Sequence, residues 1–114
     1  MSTASSPPIS GEMQLTPSVS VKVTVSGPQR NMVVVSIKDG SMEMWSHTLM
    51  QTMPDAEVPS PLQIGNVTID GGEFHLQVPT SAQPGMVMFR CTIKTPTNPD
   101  GQPFSAPVYT WQLQ

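Results

Sequence analysis

SVSVKVTVS, residues 18–26, places Val19, Val21, Val23 and Val25 at every second position, with Ser20, Lys22 and Thr24 between them. A period of two is that of an extended strand with one apolar and one polar face, whereas a helix would scatter the same valines around its axis. The β-branched side chains also favour the pleated backbone over the helix. Gly27-Pro28 ends the pattern, and MVVVSI at 32–37 follows as a second β-branched run, closed by Lys38-Asp39-Gly40. Asp-Gly between two apolar runs predicts a hairpin, because glycine takes the positive φ that a tight turn requires.

The same grammar continues downstream. LQIGNVTI at 62–69 is expected to turn through Asp70-Gly71-Gly72 into EFHLQV, where Phe74, Leu76 and Val78 alternate with Glu73, His75 and Gln77. After Gln83-Pro84-Gly85, MVMFRCTIK places Val87, Phe89, Cys91 and Ile93 on one face and Met88, Arg90 and Thr92 on the other. In the last run, FSAPVYTWQL, Tyr109, Trp111 and Leu113 alternate with Val108, Thr110 and Gln112, and Pro107 assigns that strand at least partly to an edge. Two stretches are expected to be loops: 51–63, with Pro54, Pro59 and Pro61, and TPTNPDGQP at 95–103. About seven short strands with turn chemistry between them predict an all-β fold, an antiparallel immunoglobulin-like β-sandwich, with a small β-barrel or jelly roll as the competing shape.

Residues 65–95, GNVTIDGGEFHLQVPTSAQPGMVMFRCTIKT, resemble the latter half of bacterial immunoglobulin-like repeats. The shared features are a strand, an Asp-Gly turn, an alternating strand ending in Pro, and a Pro-Gly turn into a long strand. The resemblance implies an adhesive, spacer or structural module and carries no active-site residues with it. The inter-sheet disulfide of antibody domains is ruled out, since Cys91 is the one cysteine.

Composition narrows the function classes. The 114 residues suit a single domain, expected over 12–114, preceded by a flexible arm at 1–11 whose Ser, Thr, Ala, Pro and Gly carry only Ile9 as a sizeable apolar side chain. Eight acidic and five basic residues are scattered singly, so no Lys/Arg stripe exists to neutralise a phosphate backbone, and nucleic acid is not an expected partner. MSTASSPPISGE has neither the basic nor the apolar region of a signal peptide, and no apolar run reaches membrane-helix length. The expectation is cytoplasmic synthesis of a soluble chain with no membrane insertion.

The stretch that invites chemistry is SMEMWSHTLMQTM, 41–53, to which both the helical and the strand period fit. Met42, Met44, His47, Met50 and Met53 are soft donors suited to Cu(I). The arrangement resembles the Met-rich loop of small periplasmic copper-binding β-barrels, which implies copper ligands at Met42, Met44 and His47. That family is exported and carries an N-terminal histidine ligand, and this chain has no histidine before His47. Methionine also fills cores and adaptable interfaces, which is the reading favoured here, with no cofactor. Cys91 with His47 or His75 would make a nucleophile and base only if the thiol were exposed, and alternation places it in the core. Trp45, Tyr109, Trp111 and Phe104 would stack on sugars if exposed. The eight carboxylates sit mostly beside glycines or in loops, Asp39, Asp70 and Asp100 each preceding Gly, as turns alone require.

Absent a converging acid, base or nucleophile, a non-enzymatic role is expected. Charged residues make up 11% of the chain against about 25% in an average domain, which suits repeated packing against copies of itself or another subunit. The reading is a structural or decoration subunit of a virion, a phage-like apparatus or a filament, a homo-oligomer whose contacts run through Met42, Met44, Met50, Met53, Met86 and Met88. A glycan-binding module and a copper-binding protein are the alternatives.

Overall fold

A computed structural model describes residues 9–27 and 32–112. Among them are nine strands and no helix: β1 (Ile9–Gln14), β2 (Val19–Ser26), β3 (Met32–Asp39), β4 (Met42–Met50), β5 (Asp55–Glu57), β6 (Leu62–Ile64), β7 (Val67–Gln77), β8 (Gly85–Thr95) and β9 (Asn98–Trp111). They form two open antiparallel sheets, β1-β2-β3-β4 and β5-β7-β8-β9, with β6 also paired to β7. The β-sandwich is thus the architecture, and the closed barrel is not. Each sheet is a run of consecutive strands, so among the described strands the chain changes layers once, between β4 and β5. The immunoglobulin order, which interleaves strands from both halves of the chain in each sheet, is a different arrangement within the two-layer class.

The β2 alternation is realised in full: Val19, Val21, Val23 and Val25 are buried, and Val33, Val35 and Ile37 of β3 lie opposite Val25, Val23 and Val21. Facing them across the sandwich are Ile69, Phe74, Leu76, Val87, Phe89 and Cys91 from β7 and β8. An aromatic row ties the two layers together. Trp45 of β4 stacks on Phe74 of β7 (centroids 5.7 Å, interplanar angle 11°), Phe74 meets Phe89 at 4.4 Å, and Phe89 meets Phe104 at 6.4 Å. At the other flank β1 lies against β9, where the Tyr109 ring occupies the space a Cβ on Gly11 would need. Glycine is required there by close approach.

Several sequence expectations are corrected. Asp39-Gly40 does turn β3 into β4, with Asp39 opposite Met42 and Gly40 at φ 62°. Asp70-Gly71-Gly72 does not turn the chain; the hairpin sits earlier, at Gly65-Asn66, and β7 runs unbroken through the glycines as a bulge. Asp70 pairs with Thr92 and Glu73 with Arg90, so Gly71 and Gly72 together oppose the single residue Cys91, one extra residue in β7, and Gly71 takes φ 64°. This bulge reverses the facing of the strand, which is how Val67 and Ile69 share the core with Phe74 and Leu76.

The loop expected at 95–103 is mostly strand. β8 and β9 join through Pro96-Thr97, and Asp100-Gly101 lies in a second irregularity of the ladder. Pro99, Pro103 and Pro107 are tolerated because β9 is an edge strand. The proline-rich stretch 51–63 contributes the short strands β5 and β6, both edges on β7. Of the arm expected at 1–11, Ile9, Ser10 and Gly11 belong instead to β1, whose Ile9–Gln14 pair with Ser20–Val25; residues 1–8, like Leu113, lie outside the described residues. Residues 42–50 are strand rather than helix.

Candidate interaction surface

β4 begins beside the Asp39-Gly40 turn and ends in a tight bridge where Met50 N–H donates to Met53 C=O (3.1 Å) and Met53 N–H to Met50 C=O (2.9 Å). Between these ends the ladder with β3 is regular from Met32↔Met50 to Ile37↔Trp45, and a bulge follows that leaves Met44 out of register. Trp45 and Leu49 face the core; Ser46, His47 and Thr48 are exposed, and His47 stacks on the outer side of Trp45 at 6.0 Å. No strand pairs with the far side of β4 among the described residues.

Because strand residues alternate in facing, the outer surface of the first sheet carries Lys22 and Thr24, then Met32, Val34 and Lys38, then Ser46, Thr48 and Met50, with Ser20 and Ser36 on the same side but buried. Its charges gather toward the β3–β4 turn, where Lys38 donates to Glu12 (3.4 Å). At the other end the surface is apolar: Met32 is 45% exposed, Val34 38% and Met53 57%, with the half-buried Met50 directly opposite Met32.

The second sheet's outer face is different in kind. His75 Nδ1 lies 2.6 Å from Asp55 Oδ1, Arg90 donates to Glu73 (2.6 Å) and Lys94 to Asp70 (3.3 Å), forming a ladder across β5, β7 and β8. A shallow groove of about 310 Å³ runs along it between Asp55, Glu73, His75, Met88, Arg90 and Ser105. Asp70 accepts hydrogen bonds from Ser60 and from Lys94, and these, the Ser60 bond foremost, hold its carboxyl below the ordinary value of 3.8. The groups of this groove pair with one another.

The six methionines nominated from sequence do not form one surface. Met42 and Met44 lie at the turn end of β4, Met50 and Met53 at its other end, and Met86 and Met88 on the outer face of the opposite layer. Met86 and Met88 are half-buried, flanked by Gln77 and Thr110 and by His75 and Pro107, so they are not an exposed stripe. Met32 and Val34, unnominated, complete the apolar end with Met50 and Met53. In sequence they sit inside MVVVSI, and only the pairing of β3 shows which half of that continuous run faces outward.

The copper set is likewise not assembled: Met42 and His47 stand five residues apart on an extended strand, about 16 Å along its axis. No group of three His, Cys, Asp or Glu gathers among the described residues. Of the sugar-stacking set, Tyr109 and Trp111 stack on each other (centroids 5.9 Å) and Trp45 stands apart from them. Trp45 packs on Phe74 at one flank, Tyr109 over Gly11 at the other, and Trp111 is buried above Gly85. Cys91 is in the core, where burial pushes its thiol up to about 11, and neither histidine is on its face of the sheet. The sequence matches no protein-family model, no curated protein and no solved structure.

Proposed function

We propose that the protein is a non-enzymatic building or decoration subunit that acts through protein–protein contacts in a larger assembly, of the kind found in virions, phage-like apparatus or filaments. The observation that carries this reading is the apolar end of the first sheet, where Met32, Val34, Met50 and Met53 lie together on an outer face without a charge among them. Contiguous exposed apolar surface of this kind marks an interaction site more often than it decorates a monomer. Methionine, unbranched and polarisable, suits a surface that must conform to a partner.

The test is the mass distribution of the full chain by light scattering over a concentration series, beside the double variant Val34→Thr, Met53→Gln. Association that grows with concentration and weakens at least about tenfold in the variant, with an unchanged melting curve, is the expected result. A wild-type chain that stays monomeric throughout, or assembles just as well when the patch is polar, overturns it.

A further inference from the structure

We infer that β4 is a pairing edge for a second copy of the chain, antiparallel about a two-fold axis at His47, joining two four-stranded sheets into one of eight. The inference rests on the assembly reading above and specifies its contact.

Four features of the fold lead to it. First, the other edges are protected in familiar ways. β9 carries Pro99, Pro103 and Pro107, β5 and β6 are three residues each among Pro54, Pro59 and Pro61, and β1 is six residues long with its flank against β9. β4 is nine residues long with no proline, lysine or arginine. Second, its free backbone groups can be identified. Met50 is bonded outward, to Met53, so in a regular antiparallel ladder Thr48 and Ser46 also direct N–H and C=O away from β3.

Third, those groups select the register. Any two-fold pairing that uses Met50 meets groups already bonded, and any that uses Met44 meets the bulge. Setting Ser46 of one copy opposite Thr48 of the other uses the regular free groups on each side and forms four hydrogen bonds. Fourth, the side chains suit a copy of themselves. In this register Trp45 faces Leu49, and hydroxyl faces hydroxyl at Ser46 and Thr48. The only acid of the strand, Glu43, falls outside the paired segment, so no like-signed carboxylates oppose each other. The apolar patch of Met32, Val34 and Met50 continues directly from the new seam.

The test uses the full chain. Thr48→Pro removes one outward N–H per copy, two bonds per dimer, at a position where an edge strand tolerates proline. The expected result is a dissociation constant raised about tenfold or more, with the monomer's melting curve kept. Independently, His47→Cys places its two thiols on a non-hydrogen-bonded pair with Cα atoms about 4.5 Å apart, within disulfide range. Under oxidised glutathione it should form a covalent dimer, while Ser46→Cys and Thr48→Cys, whose symmetry mates lie diagonally beyond that range, should not. The buried Cys91 leaves the background low.

Assembly that persists in Thr48→Pro with no crosslink at residue 47 overturns the edge and leaves the protein–protein reading standing. Crosslinking at 46 or 48 in place of 47 overturns the register. A wild-type chain that is monomeric at every concentration overturns both the edge and the reading it rests on.

Discussion

The two sheets are built alike inside and unlike outside. Both bury valine and isoleucine in the shared core, to which the second adds Phe74 and Phe89, yet the second sheet's outer face carries two ion pairs and the His75–Asp55 hydrogen bond while the first exposes Ser46, Thr48 and, at one end, methionine and valine. Surface ion pairs add little to stability, about 0–1 kcal/mol each, so the difference concerns solvation more than folding strength. Charges on the outer face of β7 and β8 keep that layer wet and separate. Away from Lys38 and the β3–β4 turn, the outer face of β3 and β4 has no such charges, and that end is left to favour another protein as its neighbour.

The comparison assumes that both layers share one core, and the largest effect tests that. Phe74→Ala removes the ring between Trp45 and Phe89, and a loss of about 3–5 kcal/mol in urea unfolding is expected, with a single transition. Two separate transitions would show that the sheets are independent layers. Gly11→Ala probes the opposite flank: the added Cβ would meet the Tyr109 ring, with an expected cost of about 1–3 kcal/mol in the same measurement. A neutral result there would mean that β1 and β9 are not held together.

The smallest effect concerns the charged face. The Asp70 carboxyl is held below its ordinary 3.8 by its bonds from Ser60 and Lys94, so the native state binds the proton less readily than the unfolded chain. That contribution is complete above pH 3.8 and is lost as pH falls through the lower native value. Asp70→Asn should therefore melt slightly lower than wild type near pH 7, with the gap closing below pH 3.8. A gap that widened in acid would contradict the assigned sign.

Legibility followed locality. Val19 to Val25 and Val87 to Cys91 announced their buried face because a regular strand carries its environment in its own spacing, and Asp39-Gly40 announced its turn because the φ requirement is local. Asp70-Gly71-Gly72 and Asp100-Gly101 misled for the same reason: glycine at positive φ serves a bulge as readily as a turn, and a neighbouring strand decides between them. The Met cluster of 41–53 was visible in sequence, but its distribution over two ends of one strand was not.

What the sequence determined by itself is the β class, the positions of most strands and the apolar face of the regular ones, since alternation and turn chemistry act over a few residues. What the tertiary structure alone decided is which strands stand at edges, which half of MVVVSI faces water, and that Met32, Val34, Met50 and Met53 meet. Those facts depend on which strand lies next to which, and pairing between segments distant in the chain is set by the packing of the whole core.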